Sequence, residues 1–168
     1  MTTRYFGKYR GSVVNNIDPM QQGRLQAMVP DVLGTMPSSW AQACVPFTGV
    51  QSGMWAVPDI GAGVWIEFEQ GDPEYPIWTG GWWGSATDPP ALALAVPPVV
   101  SHMVMQTTQQ NTFSISDAPG PAGGLLLKST SGAMIMVNDV GITITNGAAS
   151  IVLAGPSVTI NSGALVVT

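Results

Sequence analysis

The C-terminal stretch LLKSTSGAMIMVNDVGITITNGAASIVLAGPSVTINSGALVVT, residues 126–168, repeats every eight residues. Each octad begins with three or four residues that are typical of a β-strand and continues with small residues that are typical of a turn. Glycine occupies the sixth position of three octads, at Gly147, Gly155 and Gly163, where it permits a corner with a positive φ. The repeat therefore predicts one short strand and one corner per octad.

An octad is too short to close a coil by itself, because a coil needs about three sides and a strand rises only about 3.3 Å per residue. Three interwound chains would supply three sides per layer, and threefold closure is common among homo-oligomers. The first and third octad positions are the more consistently apolar, so we expect them to face the axis. The predicted axis residues are Leu126, Met134, Met136, Ile142, Ile144, Val152, Val158, Ile160 and Val166.

Two other interpretations of the repeat are open, a hairpin of a single-chain sandwich and a disordered tail rich in glycine and serine. Six successive registers at one spacing favour an intertwined trimeric β-helix, a β-prism, over both. In that arrangement the apolar tail is buried by two further copies of itself.

Composition divides the chain near residue 88. All six tryptophans precede that point, and the first part contains about five short strand-like segments separated by glycine and proline. Such segments predict a small all-β barrel, because closure removes exposed strand edges. We expect a barrel over residues 1–88, a Pro/Gly-rich neck over 89–124 and the octad needle over 125–168. Within the neck, residues 99–117 are expected to form irregular strands that join the three chains. Beyond residue 88 the charged residues are Asp117, Lys128 and Asp139.

Charge and cysteine content narrow the classes of partner. The net charge of −5 repels a phosphate backbone, so no nucleic acid is predicted as a partner. Cys44 is alone, which excludes an intrachain disulfide and a multi-cysteine zinc site. The N-terminal segment lacks the apolar core of a signal peptide, and no stretch approaches the roughly 20 apolar residues of a membrane span. We expect a protein that is made in the cytoplasm.

Few residues could support chemistry. Glu67 and Glu69, followed by Asp72 and Glu74, form a conceivable carboxylate pair for glycoside cleavage, although alternating acids on a strand are more often simply solvated. His102 is the single histidine, and a trimer could gather three copies of it around a metal on the axis. No catalytic residue, no cofactor and no further metal ligand is predicted.

Three segments of the first part carry a family resemblance: GRLQAMVP at 23–30, WAVPDIGAGVWIEFEQGD at 55–72 and YPIWTGGW at 75–82. They resemble the oligonucleotide/oligosaccharide-binding (OB) barrel of phage baseplate assembly protein V. Its relatives are the central spikes of contractile injection systems, which include phage tails and the valine–glycine repeat spikes of type VI secretion. The octads resemble the β-helical needle that follows the barrel in this family.

The resemblance implies a homotrimeric spike, assembled into a virion tail or an injection-system particle. The barrel would sit on a separate hub protein, and the needle would pierce the target envelope with transient contact to its membrane. The chain ends without an H-x-H motif, so a separate tip protein similar to the conical PAAR type is implied. It would contact Leu165, Val166, Val167 and Thr168.

Rival functions remain at this point. An OB barrel can be a binding module for carbohydrate or for single-stranded nucleic acid, since its aromatic side chains stack on such ligands. Nucleic-acid binding also needs a basic groove, which this sequence does not supply. A cell-wall-degrading tail enzyme is a further alternative.

Overall fold

The computed structural model describes residues 3–167, and the chain divides into two compact units, Met1–Asp88 and Pro89–Thr168. Strands dominate both units, which confirms the all-β class. The α-helices in the described part of the chain are single turns, α1 (Pro30–Leu33) in the first unit and α2 (Ala91–Leu94) in the second.

The first unit is a five-stranded barrel with a small hairpin. The strands are β1 (Tyr9–Asn15), β2 (Gln26–Met28), β3 (Gln42–Ala43), β4 (Thr48–Gly49), β5 (Ser52–Gly53), β6 (Gly63–Phe68) and β7 (Pro76–Trp82). The barrel sheet has the order β2-β1-β6-β7-β3, in which β3 runs parallel to β7 and the other pairs are antiparallel. Reciprocal backbone hydrogen bonds between Leu25 and Ala41 join the ends of the sheet and close the barrel.

The barrel core follows from alternation along the strands. In β6, Val64, Ile66 and Phe68 point inward, whereas Trp65 and Glu67 lie on the outer face. The most deeply buried side chains come from β1, β2, β6 and β7 and from the segments beside β2 and β3, so the first unit has a continuous hydrophobic core. Its buried members are Val13, Leu25, Ala27, Val29, Ala41, Val64, Ile66, Phe68 and Trp78.

The barrel geometry requires glycine at two places. Gly23 has a φ of 73°, and its carbonyl oxygen accepts a hydrogen bond from the indole Nε1 of buried Trp78 at 3.0 Å. A Cβ at Gly63 would lie 2.6 Å from the backbone oxygen of Trp82, so β6 and β7 approach too closely for a side chain there.

The second unit is one eight-stranded antiparallel sheet in which each strand pairs with the next along the chain. The sheet starts at His102, so residues 102–116, which the sequence analysis placed in the neck, form its first two strands. The strands are β8 (His102–Gln106), β9 (Thr112–Ser116), β10 (Gly124–Lys128), β11 (Met134–Asn138), β12 (Gly141–Thr145), β13 (Ser150–Ala154), β14 (Ser157–Ile160) and β15 (Leu165–Val167).

This meander differs from the winding path expected for the octads. Consecutive strands reverse direction and hydrogen-bond within one chain, as in the pairing of β11 with β12 and of β12 with β13. Two-residue connections such as Asp139–Val140 favour this reversal, because a short turn brings the chain back beside the strand that it has just left. Each octad is therefore a strand and a hairpin turn, not a side and a corner of a coil.

Candidate interaction surface

The sheet of the second unit has one face that is apolar on every strand. Residues that pair across antiparallel strands point to the same face, so the registers Met105 with Phe113, Leu127 with Ile135, and Ile144 with Ile151 place all six on one side. We call this side the apolar face. Its described members are Met103, Met105, Phe113, Ile115, Leu125, Leu127, Ile135, Val137, Ile142, Ile144, Ile151, Leu153, Val158, Ile160 and Leu165.

The apolar face is uncovered in the single chain. Leu127 is 50% exposed, Ile135 42% and Ile144 42%, whereas Ile66 in the barrel core is 0% exposed. An apolar surface that runs over eight strands is far larger than the scattered hydrophobic residues of an ordinary surface. It is the main candidate for an interaction surface in the described part of the chain.

The opposite side of the sheet, the mixed face, carries hydroxyl groups among its apolar residues. Thr112, Ser114, Thr143, Thr145 and Thr159 share it. Four of the predicted axis residues also lie there. These are Leu126, Met134, Met136 and Val152.

The predicted axis set is therefore divided between the two faces, because only Ile142, Ile144, Val158 and Ile160 lie on the apolar one. The axis residues were predicted on the assumption that residues at the same octad position, eight apart, lie on the same face. That assumption holds when consecutive strands run in the same direction, but here they alternate in direction. In a meander the turn length decides the facing, and the turns here vary from two residues to five or more. The side chain of Val166 lies outside the described residues.

Part of the apolar face comes from the predicted neck and not from the octads. Met103, Met105, Phe113 and Ile115 lie in the part of the neck where irregular strands are expected, and the structure gives them two regular strands that begin the sheet. The alternation in HMVMQ and TFSIS is that of regular strands, so these two segments belong to the sheet and not to a separate neck.

The predicted corner glycines lie in turns. Gly147 and Gly155 have φ values of 97° and 55°, which glycine adopts without strain. Gly163 ends the 3-10 turn Asn161–Gly163, in which Asn161 and Ser162 have positive φ.

His102, the candidate metal ligand, lies against the backbone of its own chain. Both ring nitrogens of His102 lie beside backbone oxygens, Nδ1 at 3.0 Å from Val100 O and Nε2 at 2.9 Å from Ala93 O. No group of three potential metal ligands occurs among residues 3–167. Leu165 is exposed in β15; the side chains of Val166 and Val167, and Thr168 as a whole, lie outside the described residues.

Two of the four carboxylates that were considered for catalysis, Glu67 and Asp72, form ion pairs with the N-terminal segment. The Lys8 ammonium donates to Glu67 Oε1, and Arg4 Nη1 donates to Asp72 Oδ2 at 3.0 Å. Each of these pairs is part-exposed at the barrel surface. Both contacts tie the N-terminal segment to the barrel.

A part-buried ion pair organises the loop between β1 and β2. The Asp18 carboxylate accepts from Arg24 Nη2 at 2.6 Å and from the backbone N–H groups of Met20, Gln22 and Arg24. The Asp18 side chain is only 4% exposed. The hydrogen bonds from Arg24, followed by those from the backbone, hold the pKa of Asp18 well below its usual range.

An open groove of about 690 Å³ lies beside this loop on the barrel. Trp55, Gln21, Gln42 and Thr48 are among the residues that line it, and no lining residue carries a charge. Trp55 is exposed. The groove can offer a stacking surface and amide hydrogen bonds, and it has no cation for a phosphate.

Helices give no sign of a membrane span: within residues 3–167 none has the length and hydrophobicity to cross a bilayer.

Two family models match the chain, and together they take in most of it. The first, the type VI secretion system/phage-baseplate injector OB domain, matches residues 9–83. The second, the phage baseplate V C-terminal trimerisation domain, matches residues 102–166. The second match begins at β8, as the eight-stranded sheet does. No curated protein matches the chain.

Proposed function

This chain belongs to the family of phage baseplate V and type VI secretion injector proteins, and from that premise we propose that it forms a homotrimeric central spike. The spike would stand at the baseplate of a phage tail or of another contractile injection system. The observation that carries the proposal is the uncovered apolar face of a sheet that matches a trimerisation domain.

Strand length supports a filled three-sided prism. The strands of the sheet are mostly five residues long, and five residues span about 17 Å. In a triangle with sides of about 17 Å, each side stands about 5 Å from the centre, which is half the roughly 10 Å that separates packed sheets. Three apolar faces would therefore meet on the axis without leaving a channel.

Closure through the turns fits better than closure through the edge strands. If β8 of one copy paired with β15 of the next, three sheets would form a barrel of about 24 strands, whose wide interior short apolar side chains could not fill. A prism that closes at the turns buries the apolar face and leaves β8 and β15 at its two ends.

A needle of this kind would be stiff without any chemistry. Each sheet is a continuous ladder of backbone hydrogen bonds, each worth about 1 kcal/mol net, and bending breaks several together. The hydroxyl-bearing mixed face would point outward. Among the described residues, Lys128 is the one charged side chain on this face. Contact of this face with a membrane would therefore cost little, because each charge at the bilayer centre costs about 2.5–3.5 kcal/mol.

Two partners belong to this proposal. A hub protein would bind the barrel, and a tip protein similar to the PAAR type would bind the end of the needle formed by β15 and the residues after it. Leu165 belongs to the last strand of the apolar face, so it would lie at that end of the axis, next to the tip protein. The spike acts by mechanical piercing, and the ion pairs of Glu67 and Asp72 favour a structural role for these acids.

The test is the mass of the full chain in solution by native mass spectrometry. The wild type should have three times the 17.5 kDa of one chain. Ile144→Asp would bury three carboxylates on the axis and should yield monomers, because an unpaired buried charge is very costly. Thr143→Asp, on the mixed face, is the matched control and should remain a trimer. A monomeric wild type would end the proposal.

The uncharged groove favours a second candidate function, carbohydrate binding by the barrel. Exposed Trp55 and the amides of Gln21 and Gln42 are groups that suit a sugar better than a phosphate backbone. A glycan array with the wild type and Trp55→Ala tests it. Binding of one glycan class that is lost in the variant would support the second function, and an array without binding would remove it.

A further inference from the structure

The turns of the eight-stranded sheet form two rows, one along each end of its strands, and the two rows differ in chemistry. On one side the turns are rich in amides and hydroxyls; we call it the amide side, formed by residues 107–111, 129–133, 146–149 and 161–164. The other, the aspartate side, is formed by residues 117–123, 139–140 and 155–156. It contains both acids of the second unit.

All charged side chains of the second unit lie at neighbouring levels. Lys128 is the last residue of β10, at the amide side, while Asp139 follows the end of the adjacent strand β11, at the aspartate side. Adjacent strands are about 4.8 Å apart, so the two residues differ little in height. Across the sheet they are separated by the length of a strand, about 17 Å, which prevents contact within one chain.

The aspartate is positioned and the lysine is available. Asp139 Oδ2 accepts a hydrogen bond from the backbone N–H of Gly120 at 3.1 Å, which holds the carboxylate against the loop on its side. Asp139 and Lys128 are both exposed. Within the described residues Lys128 forms no ion pair.

Threefold closure at the turns, on which this inference rests, brings the amide side of each copy against the aspartate side of the next. We propose that Lys128 of one copy forms an ion pair with Asp139 of its neighbour, once at each corner of the prism. The pair sets the height at which the three sheets meet. The apolar face bears no polar group on its described residues, so hydrophobic packing alone would tolerate a shift along the axis.

Cross-linking tests the placement. In a Cys44→Ser background, Lys128→Cys with Asp139→Cys should give a covalent trimer on a denaturing gel after treatment with a short bismaleimide. Lys128→Cys with Asn146→Cys is the matched control, because both residues lie on the amide side, and it should give no covalent trimer. Native mass spectrometry of the same samples separates the two ways to fail. A native trimer in which positions 128 and 139 are not linked overturns the corner contact alone; a native monomer overturns the proposed function.

Charge reversal tests the energetics in the full chain. Lys128→Glu should lower the melting temperature of the trimer by about 3 °C or more, since it places like charges at three corners. Adding Asp139→Lys should recover most of that loss, and the recovery should shrink in 1 M salt. Adding Asp117→Lys instead is the control and should recover less. Equal recovery by both second changes, or additive losses, would overturn the assignment to Asp139.

Discussion

The barrel buries its hydrophobic side chains within one chain, whereas the eight-stranded sheet leaves its own exposed. Every deeply buried hydrophobic residue in the described part of the chain lies before residue 88, from Val13 to Trp78. In the sheet the deeply buried side chains are polar, Thr112 and Ser116. Two units of similar length therefore reach stability by different means.

The difference comes from the number of layers that each unit can form alone. Strand β3 joins back to the segment beside β2, so the barrel closes and encloses both Ile66 and Leu25. A meander of hairpins is a single layer, and a single layer has no interior. Hydrophobic content does not decide whether a domain can fold by itself; the path of the chain does.

The largest effect on the trimer is expected from substitutions at two adjacent residues of β11, which lie on opposite faces of the sheet. Ile135→Asp lies on the apolar face and should convert the trimer to monomers, because three carboxylates would be buried together. Met136→Asp lies on the mixed face and should leave the trimer intact. Light scattering at micromolar concentration measures both. If Met136→Asp were the variant that dissociates, the facing of the whole sheet would be reversed.

A core change in the barrel should have the opposite pattern. Ile66→Ala removes a side chain that is 0% exposed and should reduce the free energy of unfolding of the barrel by about 2–5 kcal/mol. The trimer mass should not change, because the sheet is untouched. All tryptophans lie in the first 88 residues, so tryptophan fluorescence reports barrel unfolding selectively. Loss of the trimer in this variant would mean that the barrel also holds the copies together.

The octad repeat predicted the existence of strands and turns but not their facing. Ile144 and Met136 both occupy the third octad position, yet they lie on opposite faces of the sheet. Which face a residue occupies depends on the number of residues in the turn before its strand. A period of eight residues does not define that number, because it does not show where each strand ends and its turn begins. The strands expected in the neck turned out to belong to the same sheet, which the octads did not indicate because they begin only at Leu126.

The barrel was more predictable than the sheet because its motifs fix their own geometry. Gly23 needs a positive φ and offers its carbonyl to Trp78, and Gly63 has no room for a side chain beside Trp82. Those constraints explain the segments that carry the family resemblance, which the two family matches confirm. The hydrogen bonds between Leu25 and Ala41 that close the barrel join two separate segments, so local sequence patterns could not predict them.

A smaller effect is expected where a motif residue links two parts of the barrel. Trp78→Phe removes the indole N–H and leaves the buried carbonyl of Gly23 without its partner, so the barrel should lose about 1–3 kcal/mol. Trp83→Phe changes an exposed tryptophan and is the control, with little loss expected. Urea unfolding followed by tryptophan fluorescence compares the two. Equal losses would show that the hydrogen bond to Gly23 adds nothing to the stability of the barrel.

The smallest effect is expected from acid, and it should also belong to the barrel. Arg24 holds the pKa of Asp18 below its usual value, so the folded barrel binds fewer protons at this site than the unfolded chain. The stability from Asp18 is therefore present above about pH 4, the ordinary aspartate pKa, and is lost as the pH falls further toward the lowered value. Asp18→Asn should be less stable than the wild type at pH 7, with a difference that narrows below about pH 4. Asp88, whose pKa is lowered by Ser85, titrates in both proteins and cancels from the comparison. A wild-type advantage that stayed constant from about pH 7 to about pH 2.5 would show that Asp18 stabilises the loop by its shape and not by its charge.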